Sequence, residues 1–230
     1  DEDTLLQYGV CRVRIPFTQK EIDHWSHTLS QVTPLNMSLE DGEYAFYRNI
    51  VEEPNFPFDR LLAKGEIANM LHRYFLLFPN TNNTNNNTNN DTSSTADDIL
   101  RMDDAFCIHY NTSQDDTRCA KHTDPSDITL NMCLQCTKDM EGSQVLFYGT
   151  CQLHGITTTT TTPEEETKVP MLFAVRQKPG YATLHWGHHP HQTLPLRKGE
   201  RTNIVITYCY KEKTKSSFRS RTCYAPESSF

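Results

Sequence analysis

Hydrophobic spacing along the chain changes character near residue 100. Before that point apolar positions recur at helical intervals. In "TQKEIDHWSHTLSQV" residues Ile22, Trp25 and Leu29 share a face behind a Thr18 cap. "PFDRLLAKGEIANMLHRYFLLF" carries Leu61, Leu62, Ile67, Met70, Leu71, Phe75 and Leu76, with a break expected near Gly65. One short strand, "YGVCRVRIPF", precedes both. After residue 100 come short alternating runs: "AFCIHYN", "DITLNMCLQ", "SQVLFYG", "PMLFAVRQ", "YATLHWG", "HQTLPL" and "TNIVITYCY". Gly142, Gly149, Pro179-Gly180, Gly187 and Lys198-Gly199 punctuate them. Successive strands without intervening helices predict a β-sandwich or barrel, with the leading helices covering one sheet.

Two segments break this pattern. "NTNNTNNNTNNDTSSTADD", residues 80–98, is low-complexity and cannot bury apolar area, so a disordered insertion is expected. "TTTTTTPEEETK", residues 157–168, reads as an exposed loop. Neither separates two cores. The expected organisation is one domain over 1–230: an N-terminal strand with supporting helices over 1–79, the insertion, a β core over 99–210 and a tail over 211–230.

Composition narrows the partners. A net charge of −7 with no long run of Lys or Arg does not suggest a nucleic-acid partner, and none is expected. "KEKTKSSFRSR" reads as a solvated tail. No apolar run approaches the roughly 20 residues that cross a bilayer. The chain opens on Asp1, which fits a trimmed or mature form, so an anchoring segment could lie outside it. Eight cysteines would permit up to four disulfides, and sequons occur at Asn36, Asn82, Asn86, Asn90 and Asn111. Together these lean towards the secretory pathway. Cys133 and Cys136 form a C-x-x-C inside an alternating strand, which places them on opposite faces as core and surface thiols.

The candidate chemistry is in "HTDPSDITLNMCLQ". His122 and Asp124, two apart at a strand's start, would project together as an imidazole and a carboxylate facing one divalent metal. Downstream, "PGYATLHWGHHPHQTLPLRKGERTNIVITY" supplies His185, His188, His189 and His191, then Arg201. One of these histidines would complete a two-histidine, one-carboxylate set, an arrangement associated with non-haem Fe(II) oxygenases. A hairpin would place His191 and Arg201 on neighbouring strands. Arg201 fits a keto diacid such as 2-oxoglutarate, whose distal carboxylate needs a fixed, planar cation.

These stretches resemble the Fe(II)/2-oxoglutarate-dependent dioxygenase superfamily, closest to its prolyl/lysyl hydroxylase-like branch. "HTDPSDITLNMCLQ" is similar to its H-x-D strand, "EGSQVLFYG" to its "EGGxLxF" strand, and the segment from Pro179 to Arg201 to its "PG … H-x-x-x-P-x-x-x-G-x-R" motif. The likeness spans roughly residues 105–210. It implies a mainly β fold, a double-stranded β-helix (jelly-roll) barrel with flanking helices. It assigns His122, Asp124 and His191 to Fe(II), Arg201 to the cosubstrate, and Tyr110 to a place beside it. His191 is preferred because it alone keeps the spacing to Pro195, Gly199 and Arg201. His185 and His188 fall to the rim or second shell. "SQVLFYG" departs from the motif by lacking its second glycine.

The implied activity is hydroxylation of an unactivated C–H with release of succinate and CO2, with ascorbate as an optional auxiliary. The branch suggests a prolyl or lysyl side chain of a protein or peptide; a small-molecule substrate also fits the fold. Two other classes stay open: a catalytically silent jelly-roll binding module, and a zinc hydrolase, which would leave Arg201 unexplained.

Overall fold

Residues 2–30, 47–51, 53–63, 65–76, 96–154, 156, 172–212 and 223–224 are described by the computed structural model. Five short helices occur among them: α1 (Glu2–Gln7), α2 (Gln19–Ser30), α3 (Phe58–Ala63), α4 (Glu66–Met70), which runs into a π turn over Leu71–Phe75, and α5 (Ala96–Ile99). The strands of the first half are β1 (Val10–Arg14), β2 (Tyr47–Asn49), β3 (Leu100–Asn111), β4 (Cys119–His122) and β5 (Ile128–Cys136). Next come β6 (Glu141–Gly142), β7 (Val145–Tyr148), β8 (Thr150–Cys151), β9 (Leu172–Val175) and β10 (Tyr181–Trp186). The series closes with β11 (His191–Thr193), β12 (Leu196–Lys198), β13 (Glu200–Tyr210) and β14 (Cys223–Tyr224).

Two antiparallel sheets carry the architecture, ordered β1-β10-β5-β13-β3-β2 and β4-β11-β7-β9. Strands β3, β4, β5, β7, β9, β10, β11 and β13 distribute between the sheets as 3-5-10-13 and 4-7-9-11. This is the jelly-roll arrangement the sequence resemblance implies. Hydrogen bonding keeps two facing sheets.

Alternation sets what each face of the larger sheet meets. Ile128, Leu130, Met132 and Leu134 of β5 and Ile204, Ile206, Tyr208 and Tyr210 of β13 join Ile22, Trp25, Leu29, Leu61, Ile67, Leu71 and Phe75 in one buried core. Burying each such side chain contributes roughly 1.5–3 kcal/mol, so the helices are held by their apolar faces. Helix α2 starts as expected: the Thr18 hydroxyl accepts from the Glu21 N–H (3.3 Å), and Glu21 returns a bond to the Thr18 N–H (2.7 Å). Gly65, at φ 100°, separates α3 from α4, a conformation a side chain would resist.

The opposite face of the larger sheet is buried yet polar: Thr129, Thr183, His185, Arg201, Asn203 and Thr207. A buried sheet face of this composition encloses a site rather than a packed core.

Several expectations change here. Helix α1 and strand β2 were not signalled by periodicity. The tail returns to the body, since β14 pairs with β8 and sets Cys223 opposite Cys151 in register. Cys151 is disulfide-bonded, whereas Cys11, Cys107, Cys119, Cys133, Cys136 and Cys209 are free, so a four-disulfide framework does not form. Residues 96–98 of the expected insertion begin α5. The rest of it, the segment 157–168, and Asn36, Asn82, Asn86 and Asn90 lie outside the described residues. No described helix is long and apolar enough to cross a membrane.

Gly187 ties fold to site. Its N–H donates to Asp127 O (2.9 Å) and its carbonyl accepts from Asp124 N–H (2.8 Å). A Cβ there would meet Ser126 O at 2.1 Å. Gly187→Ala should therefore destabilise the protein by about 1–3 kcal/mol in urea unfolding, the usual cost of forcing atoms into a packed contact. An unchanged midpoint would contradict this packing.

Candidate metal centre

His122, Asp124 and His191 are brought together with their ligand atoms all within 4.8 Å of one another. His122 Nε2 is 3.4 Å, and His191 Nε2 3.9 Å, from Asp124 Oδ1. The route differs from the expected one. His122 ends β4 rather than starting β5, and Asp124 lies in the loop between them. A loop, not strand alternation, brings the carboxylate to the imidazole. His191 enters from β11, directly opposite His122 in register, with ring centroids 4.4 Å apart.

Each group is held by its far side. His122 Nδ1 bonds Ala120 O (2.8 Å) and His191 Nδ1 bonds His189 O (2.9 Å). A carbonyl accepts only from an N–H, so the proton of each neutral ring sits on Nδ1 and the Nε2 lone pair faces inward. Asp124 Oδ2 accepts from the Thr129 hydroxyl, leaving Oδ1 towards the histidines. Three inward donors from three fixed groups suit one cation.

The electrostatics agree. Burial opposes charge on His122, but the Asp124 carboxylate, the Cys119 thiol and the Ala120 carbonyl outweigh it and raise the ring to about 10. Burial, reinforced by His185, holds His191 down at about 3. Burial works against ionisation of Asp124 too, yet the surrounding histidines and Thr129 carry its pKa below the usual carboxylate range. Besides the Nδ1 protons, the cluster thus pairs the Asp124 carboxylate with one further proton, on His122 Nε2, and a divalent ion could take that proton's place.

The other histidines separate clearly. His185 is not on the rim: it is fully enclosed, bonds Trp186 O through Nδ1 (2.9 Å) and packs 4.7 Å from His191. His189 spends Nε2 on Gly149 O (3.2 Å), and His188 is half-buried beside Trp186. Phe147 packs against His185, His189 and His191 at 5.1, 4.9 and 5.6 Å.

Arg201 stands on β13 of the larger sheet, whereas His191 belongs to the smaller one, so they do not pair as strand neighbours. Arg201 is buried, 2% exposed. Glu200 does not neutralise it; that carboxylate accepts from Gln135 Nε2 (3.3 Å). Among the described residues no ion pair reaches Arg201. Its Nη1 makes one long bond to Ser143 O (3.4 Å), and its Nε has no partner. Tyr110, opposite it in register, sets its ring 5.0 Å from the guanidinium carbon and donates to Arg118 O (3.1 Å). Burial lowers the arginine's pKa, an effect only partly offset by Tyr110 and nearby thiols. A buried cation without an anion is costly, and a carboxylate in this pocket would relieve it.

Three features escaped the sequence. A bulge in β5 pairs Gln135 with Thr202 but Cys133 with Asn203, skipping Leu134. It turns Gln135 towards Ser26 of α2 and lets the Cys133 and Cys136 thiols hydrogen-bond each other, so they do not point to opposite faces. The thiol bond to Cys133 lowers Cys136 to about 7. Asn203 donates to Asn131 (2.5 Å) and Gln177 (3.0 Å), forming a buried amide cluster beside Arg201. Ser143 has a buried hydroxyl with no partner. A missing motif glycine was its only trace.

No protein-family model matches the chain, and no curated protein sequence is similar to it at a significant level. Solved structures do match. The epimerase SnoN in complex with Fe3+, alpha ketoglutarate and nogalamycin RO is 14% identical with a TM-score of 0.56, over 90% of this chain and 81% of that one. A 2OG-Fe(II) oxygenase family oxidoreductase from Burkholderia pseudomallei is 12% identical with a TM-score of 0.55, over 90% and 88%. Iron-bound HygX from Streptomyces hygroscopicus is 12% identical with a TM-score of 0.53, over 91% and 86%. None of these singles out the prolyl/lysyl branch. The chain has the fold of the Fe(II)/2-oxoglutarate oxygenases.

Proposed function

We propose that the protein is an Fe(II)- and 2-oxoglutarate-dependent oxygenase in which His122, Asp124 and His191 hold the metal and Arg201 receives the distal carboxylate. The observation that carries this is the pairing of an inward-facing His–Asp–His set with a buried, anion-free arginine in one jelly-roll interior. The donors fit the metal: two neutral imidazoles and one carboxylate leave positions open on a six-coordinate ion. The pocket also fits the cosubstrate, since Arg201 Nε and Ser143 Oγ are buried polar atoms that lack partners among the described residues. A zinc hydrolase would leave that arginine without a role, and a silent binding module would leave both features without one.

Bound iron would supply, with 2-oxoglutarate and dioxygen, oxidative decarboxylation to succinate and CO2, one oxygen atom of O2 entering succinate and the other a substrate C–H bond. The chain's own contribution is placement. Ala120 O, His189 O and Thr129 orient the ligands. Arg201 sets how deep the keto acid reaches, with Tyr110 stacked on the guanidinium. Phe147 covers the histidines on one side and excludes water.

For the substrate, a prolyl or lysyl side chain is supported by the sequence resemblance alone. A small molecule is the second reading, favoured by the SnoN complex with nogalamycin RO. Mass spectrometry after incubation with Fe(II), 2-oxoglutarate and either a peptide library or a small-molecule panel decides between them by which pool gains one oxygen. Succinate formation that requires both oxygen and 2-oxoglutarate tests the activity itself. Hydrolysis without either would overturn it.

Three outcomes follow from the geometry. His122→Ala and Asp124→Ala should each weaken Fe(II) binding by more than about 100-fold in equilibrium dialysis, beyond what loss of an outer partner costs. Arg201→Met should raise the KM for 2-oxoglutarate by roughly 100-fold, two charge-assisted hydrogen bonds being lost. It should also leave the melting temperature equal or higher, because an uncompensated buried charge is removed. A lowered melting temperature with unchanged KM would contradict the assignment.

The third outcome concerns pH. His122 carries the raised pKa, about 10, so metal binding must expel its proton. Affinity for Fe(II) should rise with pH, by up to about tenfold per unit from about pH 6 to about pH 8, with close to one proton released per ion. Calorimetry in buffers of different ionisation enthalpy measures that proton. A pH-independent affinity would refute the proposed exchange.

A further inference from the structure

Ser143 combines three features that nothing else among the described residues accounts for. It is completely buried. Its φ is 57°, in the left-handed region, where glycine is the natural occupant. Its hydroxyl has no hydrogen-bond partner among the described residues. A buried donor left unsatisfied and a side chain in a glycine conformation both work against folding, so their coexistence at one residue points to a ligand.

The surroundings say which ligand. Ser143 O is the atom that Arg201 Nη1 reaches, at 3.4 Å, so the residue lies against the guanidinium. Arg201 Nε, also buried, lacks a partner as well. The backbone is clamped: Ser143 N–H donates to Pro195 O (3.1 Å), and a Cβ on Gly142 would meet that same oxygen at 2.1 Å. Two residues on, β7 begins, with Val145 and Phe147 both buried. Ser143 stands where the resembling motif has its second glycine, so this chain has added a hydroxyl at that point.

We propose that the Ser143 hydroxyl donates a hydrogen bond to the distal carboxylate of 2-oxoglutarate beside Arg201, making it a cosubstrate-binding residue particular to this chain. The inference rests on the oxygenase reading above. A carboxylate has acceptor capacity beyond what one guanidinium fork uses, and a neutral donor on the other flank fixes its rotation. Keto acids without the second carboxylate would gain nothing from it.

The test is calorimetric titration of the Fe(II)-loaded protein, without oxygen, with 2-oxoglutarate and with 2-oxopentanoate, which keeps the chain length but lacks the distal carboxylate. Ser143→Gly should weaken 2-oxoglutarate binding roughly tenfold, the worth of one hydrogen bond to a charged group. Affinity for 2-oxopentanoate should not change. The melting temperature without keto acid should hold or rise, since glycine accepts the backbone conformation. Ser143→Ala should show the same loss of affinity. Unchanged 2-oxoglutarate affinity in Ser143→Gly overturns the proposal, and so does an equal loss for both keto acids, which would mark a general structural role. If the unaltered protein binds neither keto acid, the oxygenase reading fails, and this inference with it.

Discussion

Asp124 is the point where the structure's separate demands meet. Its backbone is tied to Gly187 across the sheet junction, Thr129 occupies one carboxylate oxygen, and the other faces two imidazoles. A carboxylate with both oxygens solvated would be an ordinary loop residue. With one oxygen taken, the second is a fixed inward donor. The two histidines are fixed in the same manner, through Nδ1 bonds to backbone carbonyls. Backbone geometry, and hence the jelly-roll itself, therefore dictates the spacing of the three donor atoms.

The second constraint is the charge on Arg201. A guanidinium shut between two sheets with no anion partner among the described residues is not a stabilising element. Folding around it is tolerable because the apolar core lies on the other face of the same strands, where Ile204, Ile206, Tyr208 and Tyr210 pack against the helices. The sheet thus divides the work: one face supplies stability, and the other holds polar groups whose partners come from outside the chain. Such a division is expected where local rules are broken for function.

How much of this was legible in the sequence depended on whether a feature is periodic. The apolar alternation of β5 from Ile128 to Leu134, the Thr18 cap and the break at Gly65 follow from spacing and residue type, and they appear in the structure where spacing puts them. His122, Asp124, His191 and Arg201 were named from motif spacing, but the geometry uniting them was misjudged. Asp124 lies in a loop because Pro125, with no N–H to give a ladder, follows it, and an H-x-D pattern does not encode that. The bulge that skips Leu134 flips the side-chain parity of Gln135 and Cys136. Nothing in "MCLQC" announces an unpaired residue, because a bulge is decided by the partner strand. Strand β14 was invisible for a related reason: its pairing with β8 is a contact between distant, short segments.

The central claim concerns convergence, and diffraction addresses it directly. Crystals grown without oxygen in Fe(II) and 2-oxoglutarate, measured at the iron absorption edge, should show a single anomalous peak among His122 Nε2, Asp124 Oδ1 and His191 Nε2. Electron density for the keto acid should run from that peak to the Arg201 guanidinium. A peak at other residues, or a keto acid whose far carboxylate ends away from Arg201, would contradict the account.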